Sequence, residues 1–178
     1  KGIVVVNKSG RQAVFSKIVI DSTGDGDVAA LAGVPFESGR KEDGVSQPMS
    51  LRFIVGNVNM EKLAFFLLEN DSRSYVDLPL IEFAMVPGEG WPLEKYFKEG
   101  VEEGILEDSD IAYFQAFSVP GMPGVIVFNC PRIIGNFKGF NADHLTEAVI
   151  QGRRRISRLF KFLRKKIPGF ENSYIVMT

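Results

Sequence analysis

The chain has 178 residues, of which 45% are hydrophobic and 24% charged, with a formal net charge of −1. That length suits one globular domain or a piece of a larger protein, with enough apolar material for a sizeable core. The near-zero charge argues against a nucleic-acid binder, and the absence of any long polar tract argues against disorder. The single cysteine, Cys130, excludes an internal disulfide and fits a reducing cytoplasm. No apolar run approaches the roughly 20 residues of a membrane-spanning helix.

In chain order, Gly2–Val6 and Gln12–Phe15 read as a β-hairpin around a polar glycine-containing turn. Lys17-Ile18-Val19-Ile20 follows as a buried strand, because the run is β-branched and apolar. Asp21 to Gly26 forms a turn, and a short helix covers Asp27–Ala32, closed by Gly33 in a left-handed cap, with Pro35 preventing a restart. Ser38–Pro48 is loop-like and Met49–Val55 a strand. Met60–Glu69 has Leu63, Ala64, Leu67 and Leu68 at helical spacing.

Arg73–Gly90 shows no clear period and holds two prolines and two glycines, which predicts an ordered loop. Pro92 fits the first turn of a helix running to about Glu103. Ala112–Val119 and Val125–Cys130 are strands joined by a turn over Pro120–Gly124. A long helix spans about Asp143 to Lys166, with Leu145, Val149, Ile156, Leu159, Phe160, Leu163 and Ile167 as its apolar positions, and Pro168-Gly169 closes it. Strand-like runs stand at both ends, at Lys1–Val6 and Tyr174–Thr178, so the chain is read as a fragment. The fold class expected is α+β, with a mixed or mostly antiparallel sheet and several helices.

The stretch from Ile18 to Ala30 carries the most chemical information. A strand runs into a tight glycine turn and then a helix rich in small residues, which puts backbone amides at a strand's carboxyl end, where α/β folds bind nucleotides. Gly24 and Gly26 allow a ligand close to the main chain. Asp25 and Asp27 beside the helix N-terminus oppose a bare phosphate and suit ligand hydroxyls, ordered water or plain helix capping. Capping alone and a ligand site both remain open. A calcium loop counted from Asp21 fails, because Ala32 stands where the closing Glu belongs. A metal-assisted phosphotransferase using Asp25 and Asp27 is weakened by Ser22-Thr23-Gly24 between them and the strand. A lone magnesium site stays possible.

The run Ile20-Asp21-Ser22-Thr23-Gly24-Asp25-Gly26-Asp27-Val28-Ala29-Ala30-Leu31-Ala32-Gly33 resembles the second flavin-contacting motif of FAD-dependent oxidoreductases with glutathione-reductase-like FAD domains. Gly39-Arg40, Asp43-Gly44-Val45-Ser46-Gln47-Pro48-Met49 and Asn129-Cys130-Pro131-Arg132-Ile133 agree with it. So do Leu145-Thr146-Glu147-Ala148, Gly152-Arg153 and Pro168-Gly169-Phe170-Glu171, all in the family's order. The resemblance implies that residues 1–34 end an FAD-binding domain and 35–178 form part of a substrate or cap domain. It further implies that Asp21, Thr23, Gly24, Asp25 and Gly26 lie against the FAD, and that Gln47 sits on a strand into the flavin or substrate cleft. Arg40 and Arg132 are candidate anion anchors, because guanidinium groups clamp carboxylates. An ordinary ion pair is the preferred role for each.

The chain departs from the family in lacking Gly-x-Gly-x-x-Gly, the fingerprint that holds the FAD pyrophosphate on a helix N-terminus. FAD is therefore expected in the intact protein, held jointly with the remainder of the FAD domain, and not on this chain alone. Cys130 is expected to be a buried, inert thiol. His144, the only histidine, is expected to be solvated near the start of the long helix, and rules out His-rich zinc sites. No catalytic acid or base and no metal site is assigned.

The basic run Arg153, Arg154, Arg155, Arg158, Lys161, Arg164, Lys165 and Lys166 reads as a solvated helix face rather than a nucleic-acid or membrane surface. The function expected is flavin-mediated redox of an unidentified small molecule by a cytoplasmic enzyme. The rivals are the phosphotransferase and a non-enzymatic module whose basic helix docks an acidic partner. The oligomeric state is left open.

Overall fold

The computed structural model describes residues 2–85 and 90–178, and its contacts divide the chain into two compact units, Lys1–Ser38 and Gly39–Thr178. Lys1 and the segment 86–89 of the expected Arg73–Gly90 loop lie outside the described residues.

In the first unit, β1 (Gly2–Asn7) and β2 (Gly10–Phe15) form the expected antiparallel hairpin, with Asn7 paired to Gly10 across Lys8-Ser9. The Asn7 side chain closes the turn by accepting the Ser9 N–H at 2.8 Å, and Gly10 takes φ 91°. The run Lys17–Ile20, expected as a buried strand, is neither. Among the described residues no strand pairs with it, and Ile18 and Ile20 are 79% and 86% exposed. β-branched composition favours extension, but a strand also needs a neighbour to take its N–H and C=O groups. The short helix α1 (Asp27–Leu31) ends in a Schellman motif: Gly33, at φ 80°, donates to the Ala30 carbonyl and Val34 to that of Ala29, both at 3.0 Å.

The second unit is built on a six-stranded antiparallel sheet. Its strands are β4 (Phe53–Gly56), β5 (Tyr75–Asp77), β6 (Leu80–Met85), β7 (Phe114–Val119), β8 (Met122–Phe128) and β10 (Tyr174–Met177), in the order β10-β4-β8-β7-β6-β5. A separate two-stranded ladder pairs β3 (Met49–Ser50) with β9 (Arg132–Ile133). The α+β class with a mostly antiparallel sheet is what the sequence predicts, with several boundaries corrected. Met49–Val55 is two strands in two sheets, broken at Leu51-Arg52. The expected Arg73–Gly90 loop contains the hairpin β5–β6, turning at Leu78-Pro79. The β7–β8 turn needs only Pro120-Gly121, with Gly121 at φ 78°, so Met122, Pro123 and Gly124 belong to the strand.

One face of this sheet is covered by α2 (Met60–Asn70), α3 (Glu94–Glu102) and α4 (Ala142–Lys166). Pro92 stands before the Leu93 N-cap of α3 rather than inside its first turn. Strand residues Phe53, Val55, Ile81, Phe83, Phe114, Ala116, Ile126 and Phe128 pack with Leu63 and Leu67 of α2, Phe97 of α3 and Ile156, Leu159 and Leu163 of α4, each at most 5% exposed. Each of these side chains other than Ala116 stabilises the fold by roughly 1.5–3 kcal/mol.

Two helices turn differently from expectation. Leu68 is 67% exposed, and Leu145 and Val149 are half-exposed, because the inward stripe of the first half of α4 is Ala148–Gly152–Ile156. A Cβ on Gly152 would lie 2.9 Å from the Leu51 Cβ, so only glycine permits this approach of the helix to β3 and β9.

Candidate functional site

In the turn from Asp21 to Gly26, the Asp21 carboxylate organises the backbone. Its Oδ1 accepts the Thr23 N–H at 2.9 Å and the Thr23 hydroxyl at 2.7 Å, and its Oδ2 accepts the Ala29 N–H at 2.7 Å. The Thr23 hydroxyl oxygen in turn accepts the Asp27 N–H at 3.0 Å. The N-cap residue Gly26 has no side chain to offer, so Asp21 caps the helix from five positions upstream. These bonds, the Thr23 hydroxyl first and the Thr23 and Ala29 amides next, hold the Asp21 carboxyl below the usual aspartate range.

Both oxygens of Asp21 and the hydroxyl of Thr23 are thus engaged inside the turn. Asp25 and Asp27 are exposed and make no cap, which removes the capping alternative left open by the sequence. Gly24 and Gly26 face open space: a Cβ on either would meet nothing within 4 Å. The turn therefore offers a ligand backbone and exposed carboxylates, which suit ligand hydroxyls better than a phosphate.

The substrate candidates of the second unit separate into two places. Arg40 and Gln47 line one cavity of about 520 Å³, together with Ser46, Pro48, Ile134 and Asn136. Gln47 lies in the loop before β3, not on a strand. Arg40 is held by Asp43 in a two-pronged contact, Nη2–Oδ2 2.5 Å and Nε–Oδ1 3.1 Å. The Val45 N–H, and then this guanidinium, keep the Asp43 carboxyl below its usual range. Lys138, which sequence reasoning did not single out, donates from Nζ to the Gly44 carbonyl and lies 3.5 Å from the Ser46 hydroxyl.

Arg132 is elsewhere: its guanidinium carbon sits 4.2 Å from the centre of the Tyr113 ring. Arg155 fixes its backbone, donating at 2.7 Å to the Arg132 carbonyl and at 3.2 Å to that of Ser109. From Tyr113 a polar chain crosses the sheet. Gln115 Oε1 accepts the Tyr113 hydroxyl at 2.9 Å and Asn129 Nδ2 at 3.0 Å, Asn129 Oδ1 accepts Arg52 Nε at 3.1 Å, and Gln115 Nε2 donates to Glu82 at 3.1 Å. The strand alternation over Phe114-Gln115-Ala116-Phe117-Ser118 was the available signal for this row.

The remaining candidates are structural. Cys130 is fully buried, and desolvation pushes its thiol up to about 12. His144 is half-buried rather than solvated, its Nδ1 accepting the Lys138 N–H at 3.0 Å beside the Phe137 ring. On α4, Arg158 pairs with Asp110 and Glu107, Lys165 with Glu103, and Lys166 with Glu99 and Glu103, so carboxylates of the same chain neutralise three of the eight cations of the basic run. Among the described residues no three His, Cys, Asp or Glu side chains are placed to hold a metal, and no helix is long and apolar enough to cross a membrane.

A family model described as FAD dependent oxidoreductase matches residues 1–178, the whole chain. No curated protein and no solved structure matches significantly.

Proposed function

The chain belongs to the FAD-dependent oxidoreductase family, and from that premise we propose that it takes part in flavin-mediated redox of a small molecule. Residues 1–34 supply the end of an FAD-binding domain, and 35–178 supply much of a substrate domain. The division of contacts at Ser38/Gly39 supports this partition. The observation that carries the reading is the match over the full chain, together with an open turn at Gly24 to Gly26 where the resemblance puts the cofactor.

Asp21 and Thr23 keep that turn in shape, while the Gly24–Gly26 backbone and the Asp25 carboxylate meet the hydroxyls of the FAD chain. The bound flavin supplies the electron transfer, and the protein supplies binding, orientation and electrostatics. The glycine fingerprint is absent from these residues, so the remainder of the FAD domain holds the pyrophosphate. Exposed Val4, Val6, Phe15, Ile18 and Ile20 support a covering partner of that kind. Cytoplasmic residence belongs to the same proposal, supported by the single cysteine.

Absorbance of the intact protein tests it. A flavin spectrum that is lost when Asp25 becomes Ala supports the reading, and intact folded protein that takes up no FAD refutes it.

A further inference from the structure

The core needs only one side of α2. Leu63, Ala64, Phe66 and Leu67 are buried in it, whereas Phe65 and Leu68 are 71% and 67% exposed. Both line a groove of about 990 Å³ that lies between α2, the β5–β6 turn and Pro168 after α4. Leu78, also exposed, adds apolar surface to the groove from the β5–β6 turn. Large apolar side chains gathered at the surface in this way mark a place where another molecule sits.

Charge selects that molecule. Glu61 and Glu69 line the same groove, one helical turn before and one after Phe65, and Asp77 lines it from β5. Among the described residues neither glutamate has a cation or a hydrogen-bond donor, and Asp77 accepts only the Tyr75 hydroxyl, at 3.3 Å. Lys62, a cation on the groove, lies 3.5 Å from Glu171 and is paired there. Three carboxylates without a countercharge therefore rim the apolar surface. A second copy docked through the same groove would set these carboxylates against each other, and an anionic membrane surface would repel them. A cationic partner meets neither obstacle.

We propose that the groove docks a basic amphipathic helix of a partner protein. Its apolar side chains cover Phe65, Leu68 and Leu78, and its Lys or Arg side chains meet Glu61, Glu69 and Asp77. Glu61 and Glu69 stand roughly 12 Å apart along α2, so cations about two turns apart on the partner match them. The apolar contacts supply affinity, and the carboxylates supply partner choice and rate of encounter. The site is independent of the flavin reading, because it shares no residue with 1–34 or with the cavity at Arg40 and Gln47.

The probe is a fluorescein-labelled helical peptide of Leu, Ala and Lys, with leucines along one face and lysines flanking them. A counterpart carries Glu at every Lys position. Anisotropy, titrated with the intact protein, is expected to show saturable binding of the Lys peptide and none of the Glu peptide. Phe65→Ala and Leu68→Ala are each expected to weaken binding about tenfold. Glu61→Gln combined with Glu69→Gln should weaken it and flatten its dependence on salt. Glu102→Gln, at an exposed α3 carboxylate outside the groove, should leave it unchanged. All of these positions are exposed, and circular dichroism checks that each variant folds. Absence of saturable binding, equal binding of the Glu peptide, or full affinity in folded Phe65→Ala overturns the proposal. Self-association of the protein, or binding to phosphatidylcholine vesicles, that Phe65→Ala abolishes also overturns it, since either gives the groove a different occupant.

Discussion

Asp21 and Ala29 are eight residues apart, yet the Asp21 Oδ2 accepts the Ala29 N–H at 2.7 Å, which ties the end of an extended segment to the first turn of α1. Asp21→Ala is expected to release Ala29 and Thr23 together and to loosen the turn, seen as faster amide exchange at both. Asp21→Asn retains one acceptor and should loosen it less. The carboxyl is held below the ordinary 3.8, so its contribution to stability is complete above that value and is lost as pH falls through its lower folded value. Acid titration of the Ala29 amide shift checks this; a midpoint above 3.8 would contradict it.

Arg158 grips Asp110 through Nε–Oδ2 2.6 Å and Nη2–Oδ1 3.0 Å, and Asp110 is 1% exposed. Removing the arginine leaves a buried carboxylate without its cation, so Arg158→Ala should lower stability by about 3–5 kcal/mol. Urea unfolding measures this, and a loss below about 1 kcal/mol would put the pair in the class of surface bridges.

Cys130 should resist thiol reagents in the folded protein. With its thiol pushed up to about 12, the thiolate fraction at pH 8 is about one in ten thousand, before burial restricts access further. Modification that becomes rapid only in denaturant is the expected outcome of a thiol-labelling time course.

Helix stops and glycine turns were legible because they are local: Pro168-Gly169 closes α4, and Gly33 closes α1 as its φ freedom allows. The N-caps were not, since Asn141 caps α4 and Asp21, rather than Asp25 or Asp27, caps α1. Pairing was not legible. Lys17–Ile20 has strand composition without a neighbour, and Met49–Val55 changes sheets at Leu51-Arg52, which no run of apolar residues announces. The β5–β6 hairpin was hidden by the proline of its own turn. Arg40, Gln47 and Arg132 were named from short motifs, whereas Tyr113, Gln115, Asn129 and Arg52 become a unit only through strand order. Ala148 and Gly152 show why Leu145 and Val149 were misplaced: close approach selects small residues, and apolar periodicity counts large ones.

The 178-residue chain alone is expected to fold without colour and to show no saturable FAD binding at micromolar flavin. Gly-x-Gly-x-x-Gly, the fingerprint whose amides hold a pyrophosphate, is not in its sequence, and each charge-assisted hydrogen bond missing costs about 1.5–3 kcal/mol. Quenching of flavin fluorescence in a titration measures this directly.

The most direct test of the central claim is flavin occupancy of the intact protein. After purification and addition of FAD, the account predicts about one flavin per chain, with retention weakened by Asp21→Ala and by Asp25→Ala. Folded intact protein with no flavin and no affinity for it would contradict the account.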